Sequence, residues 1–257
     1  MSGDPQPETI PAATVVIFRN DPAGGPPQLL MVTRSRNMSF AGGMAVFPGG
    51  RIDPADRELA ARIAPQLDET QGAAMIAAMR ETLEETGLVI AVKEAVSAAE
   101  AADARALLLE TVALAPVLDR FDWTLDLSRL VYFARWWPRF RHERSFDTHF
   151  YLYDIGTGAV DIAVDATENT RLFWSSANDA LAAADRGEIA VIFPTRRNLE
   201  RLATFADFRA AKAHAEATPV RTITPQIEDR EGGRVLTIPG DLGYPVTEEE
   251  IGSAMRG

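Results

Sequence analysis

The sequence predicts an α+β fold in which β-strands pack against helices. Strand-like and helix-like segments alternate irregularly along the chain. The first two strands are separated by a short segment rich in Pro and Gly, which is typical of an antiparallel hairpin. The chain has 257 residues, 46% of them hydrophobic, so it is long enough to bury one sizeable core. We therefore expect one domain with elaborations.

The N-terminal half is predicted to begin with a loose, polar, proline-bearing arm at residues 1–10. Aliphatic and β-branched residues predict strands at 13–18 and 28–33, joined as a hairpin. A short strand at 45–47 follows and leads into a Gly-Gly pair. The other predicted elements of this half are a short helix ending before Pro65, a helix ending at Gly87, a strand at 88–92 and an Ala-rich helix at 94–112.

The C-terminal half is predicted to contain more strands, two helices and a closing hairpin. Residues 146–155 alternate between two faces, which indicates a half-buried strand. The other predicted elements are strands at 130–134 and 171–174, a helix capped near Ser176, and a helix from Phe193 to about Ala217 with Thr195 as its cap. In the tail, Gly232 and Gly233 turn between two short strands, which form either a closing hairpin or a contact between two copies of the chain.

The composition limits the kinds of site that this chain can build. It contains no cysteine, which excludes disulfides, thiolate metal sites and cysteine nucleophiles. Its three histidines are scattered, so a histidine-rich metal site is not expected. Carboxylates must therefore supply any metal ligands, and these suit a hard cation such as Mg²⁺ or Mn²⁺.

The charge and hydropathy of the chain also limit its partners. A net charge of −11 argues against nucleic acid, because affinity for nucleic acid comes mainly from Lys and Arg that neutralise phosphates. No apolar run approaches the ~20 residues of a membrane span, and the first residues do not resemble a secretory leader. We expect a cytoplasmic protein whose partner is a small molecule, with no nucleic acid or membrane.

The segment Arg80-Glu81-Thr82-Leu83-Glu84-Glu85-Thr86-Gly87-Leu88 carries the strongest functional pattern. Within a helix, Glu81, Glu84 and Glu85 share one face. Their like charges repel each other at the end of the helix where the dipole favours cations, at a cost of a few tenths of a kcal/mol for each effect. A bound divalent cation would reverse both effects. The alternative is an ordinary solvated charged face.

The residues before this segment favour the functional interpretation. Ala74, Ala77 and Ala78 precede the three glutamates on the same side of the helix. Their small side chains leave room for a metal and a phosphate chain beside the carboxylates. Large apolar side chains fall on the opposite side, where they can pack on a sheet.

The pattern from Arg80 to Leu88 resembles the second half of the Nudix box. The first half departs from the box, since Gln66 and Gly72 stand where a strict box has Gly and Glu. If Gly50 is the box glycine, its separation from Arg80 is 30 instead of 14, an insertion of 16 residues within the region 51–70. Either Asp56 or Glu69 could then replace the missing first glutamate of the box.

A second segment resembles the branch of Nudix enzymes that cleave coenzyme A, including peroxisomal-type relatives. The chain reads Met31-Val32-Thr33-Arg34-Ser35 and then, after a spacer, Gly43-Met44-Ala45-Val46-Phe47-Pro48-Gly49-Gly50. The Arg-Ser pair, the first Gly and the Phe-Pro-Gly-Gly run match this branch. Met44 replaces a usual Gln, and Ala41 a usual His.

The resemblance implies a Nudix α/β/α sandwich with a mixed sheet at residues 11–195. It places the box insertion at 51–70 and a C-terminal helix and hairpin extension at 196–257, packed on the same domain. It also implies hydrolysis of a diphosphate in a nucleoside diphosphate linked to another moiety, with coenzyme A or acyl-coenzyme A favoured. The alternatives are an ADP-ribose or NADH pyrophosphatase, and a non-catalytic domain that senses a nucleotide.

By the same resemblance, the site would combine metal ligands, a base and phosphate contacts. Its expected metal ligands are Glu81, Glu84, Glu85 and the carbonyl of Gly49. Arg80 would orient a carboxylate, Gly50 would allow a close approach to the substrate, and Arg34 or Arg51 would contact a phosphate. The base would be Glu85 or the loop residue Glu168, with Asp165 as the second choice in that loop and His149 as a less favoured one.

Overall fold

A computed structural model describes residues 8–35, 41–139, 144–157 and 169–254, with the side chains of 144, 169, 170, 253 and 254 excepted. Glu168 and Asp165 lie outside the described residues. The strands are β1 Glu8–Arg19, β2 Gln28–Arg34, β3 Ala45–Val46, β4 Gly49–Arg51, β5 Val131–Trp136, β6 Arg144–Asp154, β7 Asn169–Ser176, β8 Thr222–Ile223, β9 Gln226–Arg230, β10 Gly233–Thr237 and β11 Glu248–Glu250. The helices are α1 Pro54–Ile63, α2 Glu69–Thr86, α3 Ala98–Thr111, α4 Leu114–Phe121, α5 Ala177–Asp185, α6 Phe193–Leu202, α7 Phe208–Ala217 and α8 Ile251–Ala254.

The main sheet is mixed, as predicted, and β1 is its organising strand. β1 runs parallel to β6 over its whole length and pairs with β2 through only two residues near its C-terminal end. Its N-terminal half pairs instead with the short strand β4, which places Gly50 opposite Ala13. The order across the sheet is β3-β2-β1-β6-β5-β8, with β7 on the outer edge of β2. The sheet therefore presents the Gly-Gly segment beside its central strand.

Helices cover both faces of the sheet, which gives the three layers of an α/β/α sandwich. Alternate residues of β1 enter different cores: Val15 and Ile17 face α2, whereas Val16 and Phe18 face the opposite side. The first core is completed by α1 to α4. The second contains residues of α5, α6 and α7 together with the tail residue Leu236, so the tail packs on the core of the same chain.

The segment 88–92 is not the strand that the sequence predicted. Among the described residues it makes one isolated bridge, between Val92 and Leu125, and Ala91 adopts a positive φ of 53°. Its side chains at 88 and 90–92 are buried in the first core. The apolar run thus reflects burial among helices, which a short hydrophobic pattern does not distinguish from strand pairing.

The helix predicted from Phe193 to Ala217 is two helices, α6 and α7. Between them, the Thr204 hydroxyl donates to the carbonyl of Arg201 at 2.7 Å. The Asp207 carboxylate then accepts from the backbone N–H of Ala210 and caps α7. These local side-chain bonds compete with helix continuation. The N-cap of α6 is Ile192, not Thr195, with Pro194 in its first turn.

One further boundary and one further helix differ from the sequence predictions. β1 begins at Glu8, so residues 8–10, which were expected in the arm, pair with β6 in the sheet. The helix α4, Leu114–Phe121, was not predicted. Among the described residues, no helix is both long and apolar enough to cross a membrane.

Candidate active site

The helix α2 begins and ends at strong capping signals. The Asp68 side chain accepts from the N–H of Gln71 at its N-terminus. At its C-terminus, Gly87 adopts the left-handed conformation with φ 75°, and its N–H donates to the carbonyl of Leu83. The last turn therefore stops at a defined residue, and the glutamates just before Gly87 are held on an ordered helix end.

Two glutamates of α2, Glu81 and Glu85, meet the Gly-Gly segment of β4. The backbone N–H of Gly49 donates to Oε2 of Glu85 at 3.0 Å. A Cβ atom added to Gly50 would lie 2.5 Å from the carboxyl carbon of Glu81. Only glycine fits at position 50 without displacing that carboxylate. The structure thus places Gly49, Gly50, Glu81 and Glu85 in one corner.

Arg80 is buried beside this corner and forms a two-pronged ion pair with Asp56. Its Nε donates to Oδ1 of Asp56 at 3.0 Å, and its Nη2 donates to Oδ2 at 3.0 Å. Nη2 also donates to the carbonyl of Arg51 at 2.8 Å. The alternative candidate, Glu69, has a side chain 77% exposed and lies 3.8 Å from Arg57. The structure therefore brings Asp56 to Arg80, and it leaves Glu69 at the surface.

The remaining Arg80 nitrogen contacts the carboxylates themselves. Its Nη1 lies 2.9 Å from Oε1 of Glu81 and 3.4 Å from Oε2 of Glu84. Within the described ranges, no three Asp, Glu or His side chains form a ready-made metal cluster. The available donor atoms still fit a hard metal cation, because they are carboxylate oxygens that lie next to glycines. Without a metal, the positive charge of Arg80 balances these carboxylates.

The electrostatics of the corner show the strain of this charge cluster. Burial raises the pKa of Glu81 to about 8; the nearby Arg80 opposes this rise, and the like charges of Glu85 and Glu84 add to it. Burial opposes the charge of Arg80, but its bonds to Asp56 and the charge of Glu81 outweigh burial and raise its pKa. In the protein without a cation, burial and the neighbouring carboxylates therefore disfavour the ionised form of Glu81 near neutral pH.

Replacing Glu81 with Gln is expected to stabilise the cation-free protein, and increasingly so as pH rises from about 5 to 8. The folded pKa lies above the unfolded one, so the unfolded state ionises first and the wild type loses stability across this window. The gap between variant and wild type should widen by up to ~1.4 kcal/mol per pH unit. Urea unfolding in EDTA at several pH values measures it. The exposed-site variant Glu69→Gln is the control, and parallel profiles for Glu81→Gln and wild type would contradict this prediction.

Sequence reasoning missed Arg105, which contacts the functional helix from α3. Its Nε donates to the backbone carbonyl of Glu84 at 2.9 Å. The last turn of α2 contains no basic residue, so Arg105 supplies from another helix the cation that a helix C-terminus favours. The absence of a cation in that turn is a sequence signal that a partner is needed, but it does not identify Arg105.

The other predicted residues take different positions. Arg34 ends β2, and Nε of its partly buried side chain has no hydrogen-bond partner among the described residues. The Arg51 side chain is exposed. His149 is buried and forms a hydrogen bond of 2.9 Å with the hydroxyl of Tyr132, and burial lowers its pKa to about 4. His149 therefore remains neutral at physiological pH.

A comparison with protein families shows which family the chain belongs to. The model of the NUDIX domain matches residues 9–195, well over half of the chain. The chain belongs to the Nudix family. It is accordingly a pyrophosphohydrolase of the class that acts on nucleoside diphosphate derivatives, as its sequence predicted. Among curated proteins, none matches the chain significantly.

One solved Nudix structure confirms the predicted fold. A NUDIX hydrolase from Alicyclobacillus acidocaldarius is 29% identical with a TM-score of 0.69, over 80% of this chain and 96% of that one. A MutT protein from Methanosarcina mazei Go1 is 15% identical with a TM-score of 0.44, over 76% and 94% of the two chains. The NUDIX domain of Shewanella oneidensis NrtR, solved with ADP ribose, is 13% identical with a TM-score of 0.43, over 78% and 90%.

The Nudix box of this chain has an unusual interior. Five residues separate Gly50 from Asp56, the spacing that the box has between its glycine and first glutamate. The extra residues follow Asp56 and form most of α1, a short connection and the start of α2. Because α1 packs along α2, Asp56 returns to Arg80 despite the insertion.

Proposed function

We propose that this Nudix hydrolase uses Mg²⁺ or Mn²⁺ to hydrolyse the diphosphate of coenzyme A or acyl-coenzyme A. The observation that carries the catalytic part is the contact of two glutamates of α2, Glu85 and Glu81, with Gly49 and Gly50, while Glu84 lies on the same helix end beside Arg80. The ligands of the cation are assigned to the glutamates and the Gly49 carbonyl: Glu81, Glu84, Glu85 and Gly49. When bound, such a cation neutralises phosphate charge, activates water and stabilises the leaving group.

The residues of the chain position these groups. The Gly49 N–H fixes the orientation of the buried Glu85 carboxylate, which can then accept a proton from water at a defined place. Glu168 is the second candidate for this base. Arg80 acts as a positioning residue, because it is buried and bonded to Asp56 and two of the glutamates. Gly50 keeps the backbone close to the carboxylates without a side chain in the way.

The substrate assignment depends on the segment from Thr33 to Gly50, which resembles the coenzyme A branch. In the structure, the two ends of its spacer are joined: the Gly43 N–H donates to the carbonyl of Arg34 at 3.0 Å, and the Arg34 N–H donates to the carbonyl of Met44 at 3.0 Å. Arg34 is thereby held through its backbone beside Gly43 and Met44. From there it can contact a phosphate, and the exposed Arg51 beside Gly50 is the second candidate.

The test is a substrate panel with analysis of product masses. Purified protein with Mg²⁺ or Mn²⁺ is incubated with coenzyme A, acetyl-coenzyme A, ADP-ribose and NADH. We expect 4′-phosphopantetheine, or its acetyl form, together with adenosine 3′,5′-bisphosphate. The Glu84→Gln variant, prepared in the same way, controls for contaminating hydrolases.

The other outcomes separate the alternatives. Intact coenzyme A with cleaved ADP-ribose or NADH would refute the substrate assignment and keep the reaction class. Turnover in EDTA equal to that with Mg²⁺ or Mn²⁺ would refute the requirement for a cation. No turnover on any dinucleotide, with equal ligand affinity with and without metal, would support a nucleotide-sensing domain instead.

A further inference from the structure

Arg201 is a charged side chain buried in the second core. It is distant in sequence from the residues of the candidate active site. Only 2% of the residue is exposed. Its Nη1 donates to the backbone carbonyl of Phe133 at 3.1 Å. Its guanidinium carbon lies 4.0 Å from the centre of the Phe133 ring and 5.1 Å from that of Tyr244. Arg201 is therefore surrounded mainly by aromatic and apolar groups.

Two of its N–H groups lack partners, and its charge lacks a counter-ion. Nε and Nη2 of Arg201 are buried and make no hydrogen bond to any described residue. The part of the chain that the structure describes contains no carboxylate within ion-pair distance of Arg201. The Tyr244 hydroxyl interacts with the guanidinium, but it also donates to Asn198 at 2.8 Å and accepts from Trp136 at 3.1 Å, and it carries no charge to balance that of Arg201. Because a guanidinium cannot lose its proton in a protein, this leaves an uncompensated buried charge.

A small cavity adjoins this guanidinium. Its volume is about 10 Å³, which is room for one species the size of a water molecule. No acidic residue lines it, and a second arginine, Arg221, does. Arg221 forms an ion pair with Asp241 at the surface. The lining residues are Phe133, Ala134, Arg201, Thr218, Pro219, Val220, Arg221, Ile223, Leu242 and Tyr244.

The chemistry of the lining distinguishes an anion from water. A water molecule could accept from Nε and Nη2 of Arg201, but its own two hydrogens would need acceptors in a mostly apolar wall. Water would also leave the positive charge unbalanced. A monovalent anion accepts several hydrogen bonds, donates none and supplies the missing charge. The small volume favours a small anion over phosphate, sulfate and organic carboxylates.

We propose that the cavity beside Arg201 is a structural binding site for one small monovalent anion of the chloride class. The anion would accept from Nε and Nη2 of Arg201 and would hold α6 to β5 and to the segment that precedes β8. This role is separate from the hydrolase corner. The site predicts that chloride stabilises the folded chain specifically, and not only through ionic strength.

Two measurements test the proposal. Crystals grown or soaked in bromide should show an anomalous peak within hydrogen-bond distance of the Arg201 guanidinium. Thermal unfolding in sodium chloride should occur at higher temperature than in sodium gluconate of equal ionic strength. The midpoint should rise by roughly 3–6 °C for each tenfold increase of chloride above the dissociation constant.

Variants of two buried arginines on the same helix give the matched comparison. Arg201→Met should abolish the difference between chloride and gluconate. Arg197→Met should be destabilised but should keep that difference, because Arg197 has carboxylate partners of its own, Glu200 at 2.6 Å and Glu249 at 3.1 Å.

Three results would overturn the proposal: an ordered water without bromide at the cavity, equal chloride dependence in Arg201→Met and wild type, or a bromide peak without chloride-dependent stabilisation. The last result would indicate an adventitious ion only. The bromide measurement uses the wild-type chain, so the proposal remains testable even if Arg201→Met does not fold.

Discussion

Replacing Glu84 with Gln is expected to lower the turnover number by about 10²–10³-fold, the range seen when one charge-stabilising group is removed from an active site. The substitution keeps the size of the side chain and removes one negative charge from the proposed cation site. Stability should change little or increase slightly, since Glu84 is 29% exposed and like-charged with Glu81 and Glu85. Steady-state kinetics with a cleaved dinucleotide and urea unfolding measure the two effects.

A matched acidic substitution away from the site separates local from general effects. Glu58 is exposed on α1, so Glu58→Gln removes the same charge at a distance from the corner. Its turnover should equal that of the wild type. Unimpaired turnover of Glu84→Gln would show that Glu84 does not belong to the catalytic cluster.

Replacing Asp56 with Asn should lower the free energy of unfolding by about 3–5 kcal/mol, because it leaves Arg80 buried without its main partner. For a chain of this size the unfolding midpoint should fall by roughly 6–20 °C. Activity should also fall, since Arg80 contacts Glu81 and Glu84. Thermal and urea unfolding provide the measurement.

Two further variants identify the cause of this loss. Asp53 lies 3.4 Å from the same guanidinium with a side chain 39% exposed, so Asp53→Asn should cost less than about 1 kcal/mol. The double variant with Asp56→Leu and Arg80→Met should be less destabilised than the sum of its single variants. If Asp53→Asn and Asp56→Asn lowered the free energy of unfolding equally, the buried ion pair with Asp56 would not be the interaction that holds Arg80 in place.

The sequence was sufficient to predict the fold class, and it singled out α2 and Gly49-Gly50 as candidate site elements because their signals are local. Helical spacing places the three glutamates together, and the glycines are a contiguous pair. The partner of Arg80 could not be chosen, since the 16-residue insertion hides the spacing, and only the packing of α1 on α2 selects Asp56 over Glu69.

Non-local contacts account for the rest of what the sequence did not predict. Arg105 donates to a backbone carbonyl 21 positions away, and a backbone acceptor leaves no trace in the sequence. The buried segment 88–92 has the apolar residues of a strand but occupies a space between helices. The break between α6 and α7 depends on hydroxyl and carboxylate bonds at Thr204 and Asp207, which compete with a continuous helical pattern.

The bond between Arg105 and the Glu84 carbonyl joins two helices at the place where α2 would otherwise unravel first. The terminal turn of a helix normally frays, because its carbonyls have no partners inside the helix. Here the last turn cannot open without also breaking its hydrogen bond to Arg105 of α3, so we expect it to open less readily than an unsupported helix end. We therefore expect the glutamates to sit on a helix end that frays little, which would help to keep their spacing constant from one turnover to the next.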